Sequence, residues 1–162
     1  MQDIIESTET MIKIYFLCYS GQLYGDKMKT KLNLGAGKKC LEDYINLDII
    51  KYEGIDIVWN LEETPLPFQD ETFEEIMADN VLEHIENFIP LMEELYRILK
   101  KGGVLKIWVP YYNSKGAFQD PTHKRFFTEE TFLYFTNNKK IPNYKFNCNF
   151  KIKTLKFEYR LN

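Results

Sequence analysis

The pattern of apolar and polar residues divides most of the chain into short strands and one clear helix. Apolar residues at steps of three and four between Phe88 and Leu99 predict a helix over 87–101, which Asn87 can cap and Gly102-Gly103 can end. The nearly continuous apolar run 104–109 predicts a strand buried on both faces. Four shorter runs, each ended or followed by a glycine turn or a polar residue, predict strands at 32–34, 44–49, 55–59 and 75–78.

The order of these segments predicts an α/β domain with a mainly parallel sheet over 31–162. Thr128 begins a further predicted helix, and partial alternation from Lys145 predicts one or two strands that close the sheet edge. Residues 1–30 show no sustained period and form an N-terminal arm of unclear structure. The arm is either an added helix or strand or the result of a misassigned start, since Met28 leads straight into a strand-like run.

The crossovers between the first predicted strands are unusually short. Ten residues separate Leu34 from Ile45, and six separate Asp48 from Ile55, whereas parallel strands normally need a dozen or more. We therefore expect a first helix of at most two turns and a loop in place of the second. One face of the sheet would be thinly covered, and the N-terminal arm or a second subunit could supply the missing cover.

Composition narrows the class of protein. The 162 residues are 44% hydrophobic and 28% charged, which suits one globular domain. A formal charge of -3 provides no positive field for nucleic acid. Three distant cysteines support neither a disulfide framework nor a cysteine zinc site, and the apolar run 14–19 is too short to span a bilayer. We expect a cytoplasmic protein without a membrane span.

Candidate chemistry lies at the ends of the first two predicted strands. Gly35-Ala36-Gly37 and Asp48 occupy positions where parallel sheets bind ligands. The spacing does not fit a dinucleotide fingerprint, because Cys40 stands at the third glycine position and Asp48 follows Gly37 by only 11 residues. A P-loop is also absent from the sequence. A tight turn would explain the glycines, and a surface carboxylate would explain Asp48, without any ligand.

Five short motifs follow one another along the chain. They are LNLGAG at 32–37, YINLD at 44–48, LPF at 66–68, DNVLEHI at 79–85 and LYRILKKGG at 95–103. In this order they resemble the class I S-adenosylmethionine-dependent methyltransferases over about residues 31–112, and most of all their small type 11-like members. The resemblance implies a Rossmann-like, mainly parallel sheet with an antiparallel C-terminal edge, and S-adenosylmethionine as the cofactor.

The resemblance also implies a cofactor site at the strand ends. The two glycines would let the backbone lie against the methionine and ribose, and Asp48 would accept both ribose hydroxyls. Asn60 and Leu61 would contact adenine, with a simple turn as the alternative for Asn60, and Asn80 would lie beside the methionine moiety. The full predicted set is Gly35, Ala36, Gly37, Asp48, Ile49, Asn60, Leu61 and Asn80.

The two histidines are candidates for proton transfer. His123 lies in a polar and aromatic segment after the fifth predicted strand, where this family places substrate-facing groups, and Asp120 could orient it. A network that only locks the loop is the alternative. His84 belongs to the VLEHI motif and could contact substrate or hold the loop before the helix. We expect no metal ion in the site.

The sequence therefore predicts a methyltransferase acting on oxygen or nitrogen of a small, sugar-derived or lipid-linked acceptor. The alternative is a catalytically silent S-adenosylmethionine-binding subunit or regulator, favoured by the shortened helices. A nicotinamide-dependent oxidoreductase would need the glycine fingerprint that is missing. A homodimer or a partner subunit stays open.

Overall fold

The computed structural model describes residues 8–17, 29–137 and 144–161. Two 3-10 helices, Leu82–His84 and Thr131–Phe135, accompany the main elements. The strands and α-helices in chain order are β1 Thr8–Leu17, β2 Lys31–Leu34, β3 Ile45–Asp48, β4 Ile57–Val58, β5 Phe73–Asp79, α1 Phe88–Ile98, β6 Leu99–Pro110, α2 Lys115–Gln119 and β7 Lys151–Leu161.

The strands form a single seven-stranded sheet in the order β4-β3-β2-β5-β6-β1-β7. The five strands from β4 to β6 are parallel, with Leu32 opposite both Ile45 and Ile76. β1 is antiparallel to β6 on one side and to β7 on the other. The predicted α/β class, with a mainly parallel sheet and an antiparallel edge at the C-terminal strand, is confirmed.

Strand β1 comes from the N-terminal arm, for which an added strand was one of the alternatives. Its apolar residues Met11, Ile12, Ile14 and Phe16 are fully buried, which explains why this stretch pairs inside the sheet. The predicted cover for the early strands does not come from β1, because β1 lies at the opposite end of the sheet from β3 and β4. Residues 1–7 and 18–28 of the arm, including Met28, lie outside the described residues.

Helix α1 packs on the sheet through the predicted apolar side, with Leu91, Met92, Leu95 and Ile98 fully buried. It ends at Ile98, three residues before the predicted end, because the chain enters β6 directly at Leu99. Asn87 occupies the N-cap position, but its side chain does not cap the helix. Its Nδ2 instead donates to the carbonyl of Glu62 at 3.3 Å.

Two buried asparagines replace the first crossover helix. The segment between β2 and β3 contains turns and no helix, which is shorter than the predicted one or two turns. Asn33 donates to Asn46 Oδ1 at 3.0 Å and to the carbonyl of Lys39 at 3.1 Å. Asn46 accepts the N–H of Leu41 at 2.9 Å and donates to its carbonyl at 3.0 Å. The amides thus satisfy backbone groups that a helix would otherwise satisfy. The crossover between β3 and β4 is a loop, as predicted.

The LPF motif is held by the end of α1. Arg97 donates to the carbonyls of Leu66 and Phe68 at 3.2 and 2.9 Å and pairs with Glu94 at 2.6 Å. Glu94 also accepts the N–H of Leu66 at 2.7 Å. The hydrogen bond from Arg97 has the largest effect on the pKa of Glu94 and holds it below its ordinary value. Burial has the next largest effect and opposes this shift. The LPF motif at 66–68 and the LYRILKKGG motif at 95–103 therefore contact each other in the fold.

The C-terminal region closes an aromatic core. The helix predicted from Thr128 is only the 3-10 helix Thr131–Phe135, and the tail forms one strand, β7. Phe132 and Phe135 each contact Phe88 edge to face, at ring centroid distances of 6.2 and 5.3 Å. None of the described helices is long and apolar enough to cross a membrane.

Candidate functional site

A cavity of about 460 Å³ opens at the carboxyl ends of the parallel strands. This is where sheets of this kind bind ligands, and the volume suits a ligand of cofactor size. Its walls come from the loops after β2, β3, β4 and β5 and from the segment after α2. The lining residues are Gly35, Asp48, Ile49, Trp59, Asn60, Leu61, Glu62, Asn80, Val81, His84, Ile85 and Lys124.

The structure brings six of the eight predicted cofactor residues to this cavity. The two that do not line it are Ala36 and Gly37. The N–H of Ala36 donates to the carbonyl of Leu47 at 3.0 Å, and the N–H of Gly37 donates to Asp48 Oδ2 at 2.8 Å. These two residues hold the strand-end loop in place, and Gly37 contacts a lining side chain rather than the cavity.

Both the close packing against Val81 and the backbone conformation require a glycine at position 35. Its φ of +57° is in the left-handed region, and an added Cβ would lie 2.6 Å from Cγ2 of Val81. Gly37 has a similar φ of +53°, but an added Cβ there would meet nothing within 4 Å. The glycine turn therefore brings the loop after β2 tightly against the loop after β5.

Asp48 is a fixed acceptor in the cavity wall. Its Oδ2 accepts the N–H of Gly37 and its Oδ1 accepts the N–H of Ile50, each at 2.8 Å. The residue is 8% exposed. A carboxylate has about four acceptor positions, so each oxygen keeps one for a ligand. Two oriented acceptors on one group suit a pair of neighbouring hydroxyls.

Glu62 forms a part of the wall that the sequence motifs did not indicate. Its two oxygens accept the N–H groups of Glu86 and Asn87, each at 2.8 Å, and Lys124 donates to it at 3.0 Å. Burial raises the pKa of Glu62, but these hydrogen bonds outweigh it and the pKa lies below its ordinary value. Glu62 therefore stays ionised and ties the loop after β4 to the start of α1. The one sequence signal for Glu62 is that it lies two residues after Asn60, a predicted site residue. In the structure the Oδ1 of Asn60 accepts the N–H of Glu62 at 3.1 Å.

Asn80 begins the loop after β5 in a left-handed conformation, with φ of 56°. Asparagine tolerates this region better than most residues. Its N–H donates to the carbonyl of Trp108 at 3.0 Å and its Nδ2 to Asp79 at 3.1 Å. The side chain is therefore anchored next to the cavity beside Val81.

The two histidines lie together, but only His84 lines the cavity. Their rings are edge to face, with centroids 4.8 Å apart, and the His123 side chain is 8% exposed. The distance from His123 Nε2 to Asp120 Oδ2 is 4.0 Å, longer than a hydrogen bond. Asp120 reaches His84 instead, through Thr122, whose Oγ1 lies 2.7 Å from Asp120 Oδ1 and 2.9 Å from His84 Nδ1. Burial, followed by the nearby His123, lowers the pKa of His84.

Glu83 is a buried carboxyl beside this pair. It is 1% exposed, and neither carboxyl oxygen accepts a hydrogen bond from another described residue. Burial raises its pKa to about 7, with Asp79 and Asp120 adding to the rise and its own backbone N–H opposing it. The VLEHI motif contains Glu83, yet nothing in the sequence indicated that the carboxyl would be buried without a partner.

Comparison with known proteins gives a family match for the parallel part of the sheet. Residues 33–107, which are less than half of the chain, match the family model described as a methyltransferase domain. This confirms the family resemblance predicted from the motifs. No curated protein matches the chain.

One similar solved structure is the complex between the Haloferax volcanii Trm112 methyltransferase activator and a proposed methyltransferase. The TM-score is 0.38 at 21% sequence identity, and the match covers 46% of this chain and 42% of that chain. The chain thus matches less than half of that relative.

Proposed function

We propose that this protein transfers a methyl group from S-adenosylmethionine to oxygen or nitrogen of a small, sugar-derived or lipid-linked acceptor. The main support is Asp48, a carboxylate held by two backbone N–H groups at the end of β3 and facing a cavity of about 460 Å³. The family of the domain implies use of this cofactor, and the donor set fits it.

Each part of the cofactor has a matching group in the cavity wall. Asp48 would accept the ribose hydroxyls with its two remaining acceptor positions. Ile49, which is 60% exposed, and Leu61 provide apolar surface for the adenine ring. The Asn60 amide can bond the edge of the base, and Asn80 lies where the methionine part would end.

When bound, the cofactor supplies an electrophilic methyl carbon on a sulfonium sulfur. The chain has to hold the acceptor atom in line with that carbon and to exclude competing water. A hydroxyl acceptor also needs a base, and His84 is the imidazole that reaches the cavity. Its lowered pKa keeps it neutral at neutral pH. His123, which the sequence predicted as the base, does not line the cavity. It contacts the ring of His84 edge to face and would position that imidazole.

The first test is calorimetric titration with S-adenosylhomocysteine. We expect binding by the wild-type protein and at least a tenfold loss in Asp48→Asn. The amide NH2 would face the N–H of either Gly37 or Ile50, and one of the two acceptor oxygens for the ligand would be lost. Asp43→Asn is the matched control, since Asp43 is exposed outside the cavity. NAD serves as the control ligand. Equal affinity of Asp48→Asn and wild type would contradict the proposed site.

Turnover separates an enzyme from a silent cofactor-binding subunit. Formation of S-adenosylhomocysteine is followed over hydroxyl and amine acceptors, including sugars and lipid-linked sugars. We expect an acceptor-dependent rate that Asp48→Asn removes. Binding of S-adenosylhomocysteine without turnover on any acceptor would favour the silent subunit instead.

A further inference from the structure

We propose that Glu83, His84 and His123 bind one divalent transition-metal ion, with zinc as the reference, at the wall of the cavity. One ligand atom from each of the three residues lies within 4.8 Å of the other two. Glu83 and His84 belong to the 3-10 helix Leu82–His84, and His123 follows α2, so the fold brings them together. Two imidazoles and a carboxylate are a ligand set that zinc and other divalent transition metals accept, with a position left for water or substrate.

The carboxylate is the strongest indication. Glu83 is 1% exposed, and both of its carboxyl oxygens lack a hydrogen-bond partner elsewhere in the described residues. Burial of an unpaired carboxyl is unfavourable, and buried polar groups nearly always have partners. A cation between Glu83 and the two imidazoles would supply the missing partner.

The hydrogen bonds of His84 leave its outer nitrogen free for a metal. Thr122 has one hydroxyl proton, and Asp120 Oδ1, an acceptor at 2.7 Å, takes it. The same hydroxyl oxygen must then accept from His84 Nδ1 at 2.9 Å, so Nδ1 carries the proton. The lone pair of His84 is therefore on Nε2.

The Nε2 atom of His123 is also left free for a metal, because its Nδ1 bonds a different partner. Its Nδ1 lies 2.9 Å from the carbonyl oxygen of Ala117, which can only accept. Nδ1 thus carries the proton, and the lone pair is again on Nε2. Metal-binding histidines in proteins characteristically donate their other N–H to a carbonyl or a carboxylate-linked group, as both of these do.

The spacing allows closure around an ion without rebuilding the fold. With bonds of about 2.0–2.1 Å, ligand atoms in a tetrahedral zinc site are about 3.3 Å apart. The ligand atoms lie within 4.8 Å of one another, so binding an ion requires them to approach one another by at most about 1.5 Å. The ionised Asp120 behind Thr122 adds negative charge next to the site, which favours a cation.

This inference does not depend on the proposed methyl transfer, although the two share His84. A metal ion and a proton would compete for the same Nε2 lone pair. In the metal-loaded protein a metal-bound water or acceptor oxygen would replace the free imidazole in the role of base.

The test uses tag-free, chelator-treated protein without cofactor. Zn²⁺ is titrated by calorimetry and Co²⁺ by its visible absorption, and we expect one ion per chain. Glu83→Gln and His123→Ala should each weaken binding at least tenfold. Glu86→Gln is the matched control, because Glu86 is exposed three residues along the chain. Thr122→Val should weaken binding about tenfold by releasing His84, and Thr122→Ser, which keeps the hydroxyl, should restore it.

Circular dichroism and a denaturation midpoint show that each variant is folded. Glu83→Gln keeps the side-chain shape and removes the carboxyl that would bind the ion, so it decides the question even if His123→Ala does not fold. Failure of wild type to bind either ion at one per chain would overturn the proposal, and so would unchanged binding by Glu83→Gln. Since the titration contains no cofactor, its failure would leave S-adenosylhomocysteine binding untouched.

Discussion

Alanine at Gly35 tests whether the floor of the cavity depends on close packing in addition to backbone conformation. An added Cβ at Gly35 would lie 2.6 Å from Cγ2 and 3.1 Å from Cγ1 of Val81. At Gly37 the backbone is equally left-handed, with φ of +53° against +57°, but the space is open. Both substitutions have the same backbone cost, so their difference measures the contact with Val81.

The expected magnitudes follow from these two contributions. A left-handed conformation costs an alanine about 1–2 kcal/mol, which is the whole expected loss for Gly37→Ala. The overlap adds about 1–3 kcal/mol at Gly35, because overpacking of a core is destabilising by that amount. Val81 is 6% exposed and β-branched, so its side chain cannot rotate away freely.

Urea unfolding, followed by circular dichroism and tryptophan fluorescence, gives the free energy of unfolding of each variant. A double-mutant cycle with Val81→Ala isolates the contact. We expect the double variant to be about 1–3 kcal/mol more stable than the sum of the single losses predicts. Equal losses in Gly35→Ala and Gly37→Ala, or a coupling energy of zero with Val81→Ala, would refute the packing argument.

Other parts of the fold give further predictions. Asn46→Ala should destabilise the fold by about 2–4 kcal/mol, because the N–H and carbonyl of Leu41 lose their hydrogen-bond partner. The free energy of unfolding measures this loss, and an unchanged value would contradict the role of the amide. Arg97→Lys should destabilise by about 1–2 kcal/mol in the same assay, because lysine cannot bond both carbonyls and Glu94 at once. The lowered pKa of Glu94 stabilises the fold above about pH 4.5, and this contribution is lost as the pH falls through the folded-state value. Glu94→Gln should therefore be less stable than wild type at pH 7, with a difference that shrinks below pH 4.5; a constant difference would contradict the assignment.

The sequence predicted the parallel half of the sheet well because that half is made of local signals. Short apolar runs that end in glycine or a polar residue marked β2, β3 and β5, and the three-and-four spacing marked α1. The short crossovers predicted a shortened first helix and a loop in place of the second, because so few residues cannot form a full helical crossover between parallel strands. What replaces the first helix, the Asn33–Asn46 pair, is a contact between strands and has no local pattern.

The N-terminal arm was predicted to be an added helix or strand or a misassigned start, and the place of β1 in the sheet could not be predicted for the same reason. Its partners are β6 and β7, and neither is near it in sequence. Gly35, Asp48 and Asn80 could be predicted to lie at the cavity because they stand at strand ends. Glu62, Val81 and Lys124 reach the cavity only through tertiary contacts, and the burial of Glu83 depends on the segment that follows α2.

The place of β1 between β6 and β7 has a consequence for how the chain folds. β1 is made before the strands that flank it, so it can pair in the sheet only after residues 99–110 and 151–161 have been made. We expect the antiparallel half to form last, since such distant pairings are slow. Among the described strands, β7 is hydrogen-bonded in the sheet to β1 alone. Removing the first strand would therefore also detach the last one, so an N-terminal truncation would act at both ends of the chain.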